Sequence, residues 1–357
     1  MRNQILMVDY ILIGFGFAGA SLAYRLEERG RSFIVLDKNQ HRASSVAAGL
    51  MNPVNLKRLS LAWKGDLHLD EAKGFYSRLE SHLGELFLQP LEIYRIFTSV
   101  EEQNDWFTAA DKPRLSRFLD PRIVRQLGPE IQAEYGFGRL RETSRLNSVL
   151  FLETYMKYLK AKGRFRTGSL SHSEVEFTDQ GIRYGDLEGR RLVFCEGMGI
   201  RSNPFFNFLP VTGNKGEYLI IKAPGLHLTT AVKAGIFLIP VKDDNYAVGA
   251  SYSHHDKVNG PTSQAREELL LKLRKFLTAD FELVDQLAGI RPVTPDRRPV
   301  TGRHPVHENL YCLNGLGSRG ILMSPYISRQ LLDHIENGDP LDPEIALERF
   351  IKKYYRE

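Results

Sequence analysis

Tyr10-Ile11-Leu12-Ile13-Gly14-Phe15-Gly16-Phe17-Ala18-Gly19 is the stretch whose reading decides the fold. Its first four residues are a short apolar run suited to a buried parallel strand. The glycines that follow fit G-x-G-x-x-G, and residues 20–29 then read as a helix, with Leu22, Ala23 and Leu26 on one face. Gly30 stands where a helix C-cap glycine belongs. A second apolar run, Phe33-Ile34-Val35-Leu36, ends at Asp37, 18 residues after the last glycine. Strand, glycine turn, helix, strand and acid in this order define a dinucleotide-binding βαβ unit. Gly14 permits the tight turn, Gly16 keeps no side chain between backbone and a pyrophosphate, and Gly19 lets the helix pack on the strand. The helix N-terminus then faces the negative charge. Asp37 is placed to accept hydrogen bonds from a ribose diol, which argues against a 2′-phosphate and so against NADP.

A second small-residue segment follows, Ala43-Ser44-Ser45-Val46-Ala47-Ala48-Gly49-Leu50-Met51-Asn52-Pro53. Such a run lets backbone lie flat against a large planar ligand. The alternative is a flexible loop, and the apolar Leu50, Met51 and Pro53 argue against it. Residues 70–87 carry apolar side chains at helical spacing, and 149–159 read as another helix. The polar stretch 101–121 reads as surface loops and short helices. Residues 182–194 read as short strands with Gly185 and Gly189 at turns, ending in Val193-Phe194-Cys195-Glu196-Gly197. Strands are expected over 217–221, 236–241 and 246–250, the last two joined by the turn Lys242-Asp243-Asp244-Asn245. A helix over 265–277 follows. The chain closes with a strand over 310–313, the loop Asn314-Gly315-Leu316-Gly317-Ser318-Arg319-Gly320 and a helix over 321–335. Both ends therefore have α/β character and the middle is antiparallel β. That pattern predicts one nucleotide-binding domain built from separated segments, with a second sheet domain inserted.

With 357 residues, 42% hydrophobic and 25% charged, the composition is that of a globular protein of about two domains. Lys and Arg number 48 against 43 Asp and Glu, a formal net charge of +5. No block concentrates that charge, which argues against a dedicated nucleic-acid binder. Cys195 and Cys312 are too few for a disulfide framework or a cysteine zinc site and read as small buried hydrophobes. The ten histidines lack metal spacing, no metal is expected, and His254-His255 read as surface. Trp63 and Trp106 read as packing. The basic, aromatic end Lys352-Lys353-Tyr354-Tyr355-Arg356 could touch RNA, but a solvated helix end is the simpler reading. Neither a leader with an apolar core nor a run of about 20 apolar residues is present, so a soluble cytoplasmic protein without membrane association is expected. Oligomeric state stays open.

Further pieces fall in a telling order: Ser44-Ser45-(x)3-Gly49, Pro210-Val211 with Lys215-Gly216-Glu217, Ile239-Pro240, Gly249-Ala250, Gly289-Ile290-Arg291-Pro292, and Gly315 through Pro325. On them the chain resembles the D-amino-acid oxidase and glycine oxidase (DAO) family of flavoproteins over nearly its whole length. Thr294-Pro295-Asp296-Arg297 and Leu316-Gly317-Ser318-Arg319-Gly320 are most similar to one branch of it. That branch includes the oxidase domain of the bifunctional enzyme that modifies the tRNA wobble uridine.

The resemblance implies an α/β fold: a Rossmann-like, glutathione-reductase-like FAD-binding domain with an inserted, mostly antiparallel substrate domain. Residues 1–90, 142–208 and 288–357 would form the first, and 91–141 with 209–287 the second. FAD would be bound noncovalently, since neither cysteine matches the known attachment position. Carried over by position, Phe17 and Ala18 would meet the pyrophosphate, and Asp37 and Lys38 the adenosine ribose. Ser44, Ser45, Ala48, Gly49 and Leu50 would flank the flavin and phosphates. Glu174 would offer backbone to adenine, and Gly197 would join the cofactor set. Leu316, Gly317, Ser318, Arg319, Gly320, Ile321 and Leu322 would wrap the pyrimidine end of the isoalloxazine. A physical reason supports that placement: reduced flavin carries negative charge near N1 and O2, and a glycine-rich loop opening a helix aims N–H groups there.

Arg291 is the residue implied to pair with a substrate carboxylate, for which its planar fork is suited. A structural ion pair at the sheet edge is the alternative. Tyr252 could line the same pocket. Phe237 stands where several members have a carboxylate-binding tyrosine, and Ser318 where glycine oxidase has a second pocket arginine, with Arg319 one position later. These departures leave room for a larger amine. The implied reaction oxidises an amine or amino acid, its Cα hydride passing to flavin N5 and the imine then hydrolysing. Oxygen or another acceptor would reoxidise the flavin. The alternative is oxidative removal of a carboxymethyl group from a modified tRNA uridine.

Overall fold

The computed structural model of the chain describes residues 5–39, 43–253 and 260–356; His254 and His255, expected at the surface, lie outside the described residues. The opening unit forms as the sequence predicts: β1 (Leu6–Ile13), α1 (Phe17–Glu28) and β2 (Phe33–Asp37). In chain order there follow α2 (Gly65–Leu83), β3 (Ile93–Ile96), α3 (Ser148–Ala161), β4 (Leu187–Phe194), β5 (Thr212–Lys222), β6 (Ile236–Pro240), β7 (Asn245–Gly249), β8 (Glu282–Val293), β9 (Leu310–Asn314) and α4 (Gly320–Asn337).

The first sheet runs Phe165–Thr167, β2, β1, β4, Gly181–Tyr184, Glu176–Thr178. β1 pairs in parallel with β2 and with β4, and the second half of β4 pairs in parallel with β9. Strands buried on both faces need apolar residues at every position, which is why β1 and β2 do not alternate. Tyr10 and Leu12 join the core formed with α1, α2, α3 and α4, while Ile11 and Ile13 join a separate core with Ile200 and Phe206.

The second sheet runs β8, β5, β7, β6, Ala231–Ala234, β3, Phe137–Leu140, Leu119–Val124. Its pairings are antiparallel except that of β3 with Ala231–Ala234. Alternation along its strands separates the two faces. Leu219, Ile221, Leu238 and Val248 pack under the helix Ser263–Leu273, whereas Tyr218, Ile220, Ile239 and Ala247 face the core shared with the nucleotide-binding half. The even-numbered residues of β5 are therefore turned toward the first domain.

Three sequence readings are corrected. Gly189 lies inside β4 rather than at a turn, because any Cβ there would stand 2.7 Å from Ile11 Cγ1. Residues 100–110 form a regular helix, capped by Ser99 and seating Trp106 fully in the core with its indole N–H on the Asp120 carbonyl. The helix expected over 70–87 starts and ends earlier, stopped by Gly84 in the left-handed conformation (φ +67°). Cys195 and Cys312 are free and buried, as expected.

Two buried histidines make the fold acid-sensitive. Burial pushes His68 and His304 down to about 4 from 6.5. The His304 Nδ1 accepts from the backbone N–H groups of Val306 and His307, an arrangement open only to the neutral ring. Because these pKa values are depressed in the folded state, the stabilisation is complete above about pH 6.5 and is lost as pH falls toward 4. We expect thermal melts to drop steeply over that window, by on the order of 2 kcal/mol for each histidine. In His304→Gln with His68→Gln the drop over the same window should shrink.

Candidate active site

The fingerprint turn is held from both sides. Gly14 has φ +96°, and a Cβ on it would lie 2.5 Å from the Cys195 carbonyl oxygen; one on Gly19 would lie 2.0 Å from the Gly14 oxygen. Strand β1, helix α1 and the end of β4 thus meet at a spacing only glycine allows. Asp37 accepts from the backbone N–H of Phe15 (2.7 Å) and of Asn39 (2.7 Å), so the acid also fixes the turn itself. Ser44 Oγ accepts from the Phe17 N–H (3.1 Å) at the mouth of α1 and would sit 2.9 Å from a Cβ on Gly16. This places the serine segment directly at the helix N-terminus, with Ala18 and Gly19 in the first turn behind it. Gly49, at φ +88°, is locked against the Leu146 carbonyl, and the short strand Leu50–Met51 pairs with Ser144–Leu146. Lys38 is exposed at the end of β2, and Ser45 and Ala48 are half-buried.

At the far end of β4, Gly197 accepts from Asn314 Nδ2 (2.9 Å), tying β4 to β9. Glu174 is exposed in the single turn His172–Glu174, whose His172 lies 3.6 Å from the Glu196 carboxylate. After β9, Leu316 precedes a single 3-10 turn (Gly317–Arg319), and α4 opens at Gly320 with Ile321 and Leu322 buried in its first turn. A Cβ on Gly320 would lie 3.1 Å from the Phe17 ring, and Ser21 Oγ meets Ser324 Oγ at 2.8 Å. The N-termini of α1 and α4 therefore converge. Two positive helix ends in one place suit a ligand with a diphosphate and a ring that becomes anionic. Glycines where side chains would block, and N–H groups at both helix mouths, fit the FAD that the motifs imply.

Beside this junction opens a cavity of about 1230 Å³. Arg291, Tyr252, Leu316, Gly317, Ser318 and Arg319 share its wall, so residues from the second sheet and from the loop after β9 are brought together. Arg291 on β8 is opposite Asn214 on β5, on the face turned to the first domain. Its guanidinium lies across Gly216, where a Cβ would come within 2.1 Å of both terminal nitrogens. The group rests beside the Tyr252 ring (5.1 Å to its centre), and Nη1 is buried without a hydrogen-bond partner. Among the described residues Arg291 forms no ion pair with a carboxylate. Phe237 is not on this wall: it sits on β6 opposite Gly249, its ring under the Lys233 ammonium (4.9 Å).

The loop that carries Tyr252 is stapled to β5. Lys215 and Ser253 exchange two backbone hydrogen bonds of 3.0 Å, and Ser251 Oγ accepts from the Glu217 N–H. Beneath them Glu217 is buried and accepts from Thr262 and Gln286. Much of the cavity wall was not legible in the sequence, including Thr212, the segment 55–64 with Trp63, and residues 112–115. Trp63, read as packing, stands on the wall with its indole N–H on Glu344 (2.7 Å).

A βαβ nucleotide-binding sheet, an inserted antiparallel sheet and a cavity where the two meet define a dinucleotide-dependent oxidoreductase. The family model "FAD dependent oxidoreductase" (DAO) matches residues 9–334, and the chain belongs to that family. It is 31% identical over 373 residues to the glycine oxidase of Geobacillus kaustophilus (strain HTA426), covering 93% of each chain. It is 25% identical to the tRNA 5-methylaminomethyl-2-thiouridine biosynthesis bifunctional protein MnmC of Idiomarina loihiensis, covering 90% of this chain and 54% of that protein. The match to the Pseudomonas aeruginosa glycine oxidase spans 45% of that protein. The crystal structure of glycine oxidase from Geobacillus kaustophilus superposes with a TM-score of 0.78 at 20% identity, over 98% of this chain and 99% of that one. The fold class expected from the sequence is the one found. No helix among the described residues is long and apolar enough to cross a membrane.

Proposed function

We propose that the chain oxidises the C–N bond of a small amine or amino acid whose carboxylate is anchored by Arg291, with noncovalently bound FAD. The observation that carries this reading is the buried, unpartnered Nη1 of Arg291 on the wall that also holds the loop after β9. A buried cation donor left without an acceptor is costly unless a ligand supplies one. A carboxylate would satisfy it in the two-pronged manner suited to arginine. The residues assigned to FAD by position are proposed for that role: Gly14, Gly16, Phe17, Ala18 and Gly19 of the turn, Asp37 and Lys38, Ser44, Ser45, Ala48, Gly49 and Leu50, Glu174 and Gly197, and Leu316 to Leu322. FAD, when bound, supplies the two-electron acceptor. Cys195 and Cys312 are buried and their thiols are pushed up by burial, which supports a noncovalent attachment.

The protonation state of the amine follows from the wall. Among the described residues, eight Lys and Arg side chains line the cavity against a single carboxylate, Glu344, which is held by Trp63 and Arg298. Such surroundings disfavour an ammonium, so the amine binds neutral, with its lone pair free to assist C–H cleavage. A strong base is then not needed, and no histidine stands on this wall among the described residues.

The test is anaerobic bleaching of the flavin absorbance with glycine, sarcosine, proline and a panel of D-amino acids. Bleaching by one of them is the expected result. Flavin plainly bound but reduced by none would sink the small-amine reading and leave the tRNA one. Protein unable to take up FAD would overturn both.

A further inference from the structure

The short strand Ser144–Leu146 carries a buried cation that the proposed reaction leaves unused. Arg145 is 8% exposed and has no carboxylate partner among the described residues. Burial alone holds its guanidinium below the usual arginine range. Its Nε donates to the Ala48 carbonyl (3.2 Å), and among the described residues neither terminal nitrogen has an acceptor. The strand register fixes where this side chain stands. Arg145 is directly opposite Leu50, and cross-strand partners of an antiparallel pair share a face. Their neighbours Met51 and Leu146 turn the other way and join the core. A Cβ on Gly49 would lie 3.3 Å from Arg145 Cγ, so the stem runs against that glycine. The cation therefore stands against Ala48, Gly49 and Leu50, the segment proposed to flank the flavin.

An arginine kept for the fold brings an acid, as Arg25 brings Glu28 and Glu71, and Arg29 brings Asp333 and Glu336. A buried cation without one costs stability, and a ligand that supplies negative charge offsets the cost. Two parts of FAD can do so: the diphosphate, and the ring once it is reduced. The diphosphate is served at the other end of the segment, where Ser44 Oγ accepts from the Phe17 N–H at the mouth of α1. Resting on the proposed seat of FAD along this segment, we infer that Arg145 tunes the flavin: anchored through Nε to the Ala48 carbonyl, its guanidinium meets the ring at the Leu50 end and stabilises the negative charge that reduction places there. It acts on how readily the ring accepts a hydride, not on how the substrate is held.

The test compares the parent with Arg145→Gln and Arg145→Lys, all loaded with FAD. Sulfite adds to oxidised flavin as an anion and bleaches it, so its dissociation constant reads positive charge at the ring. In Arg145→Gln we expect that constant to rise about ten-fold, the scale of one lost charge-assisted contact. The midpoint potential should fall by about 30 mV, the two-electron equivalent of ten-fold. Arg145→Lys keeps the charge and should recover most of the sulfite affinity. With an amine substrate, kcat should fall in Arg145→Gln while KM stays near the parent value.

The apoproteins separate this role from a structural one. Freed of a buried cation that has no acid, apo Arg145→Gln should melt no lower than the parent apoprotein. ADP, which has the diphosphate without the ring, should bind both apoproteins equally. A variant that keeps its melt and its ADP affinity but no longer retains FAD would support the assignment in the same way. A lower apoprotein melt, an unchanged sulfite affinity and potential, or weaker ADP binding would each overturn it, the last moving Arg145 to the diphosphate. The expected sulfite and potential changes in a protein that no small amine bleaches would keep the assignment and count against the amine-oxidase reading. Bleaching by an amine with sulfite affinity unchanged in Arg145→Gln would do the reverse.

Discussion

Replacing Arg291 by alanine should leave the protein folded and FAD-loaded but lower kcat/KM for its amine by roughly a hundred- to a thousand-fold. The size follows from removing one partner of a desolvated charge pair, which costs about 2–4 kcal/mol, each 1.4 kcal/mol being about ten-fold. The arginine has no carboxylate partner among the described residues and its Nη1 is unpartnered, so its loss should leave no orphaned carboxylate there. Stopped-flow bleaching across substrate concentration checks this. A loss confined to KM would mean uniform anchoring of the carboxylate, whereas a fall in kcat as well would mean that the arginine also sets the Cα–H direction. Wild-type kinetics in Arg291→Ala would remove the basis of the proposed function.

Gly216→Ala is expected to do nearly the same damage without touching the arginine. The new methyl group would sit 2.1 Å from both guanidinium nitrogens. The far end of a long side chain can swing away at little cost to the fold. The melting temperature and the flavin spectrum should therefore stay close to the parent, while kcat/KM falls by about ten- to a hundred-fold because the fork no longer meets the carboxylate squarely. The measurement pairs a thermal melt with reductive titration. An unchanged rate would show that the site tolerates a moved guanidinium, and a collapsed melt would show that Gly216 is needed by the sheet instead.

The opening βαβ unit was legible because its signals are local. Apolar runs, a helical stripe, and glycines forced by backbone contact at Gly14 and Gly19 depend on neighbours within about thirty residues. The antiparallel character of the middle was legible for the same reason, through the 242–245 turn between β6 and β7. Gly189 was misread because the contact that demands it, with Ile11, lies across two strands far apart in sequence. Phe237 was placed at the pocket by resemblance alone, and the packing of β6 keeps it off the cavity wall.

Sequence by itself determined the nucleotide-binding fold, the family, and the conjunction of Arg291 with the loop from Leu316 to Arg319. Tertiary structure alone decided the character of the cavity. Its cations come from segments around residues 58, 112, 291, 297 and 319 that share no periodicity and no common element. A charged residue in a loop is read locally as a solvated surface, and nothing in the chain tells which loops will face one another. Only the packing of the second sheet against the first domain turns those separate charges into one positive wall.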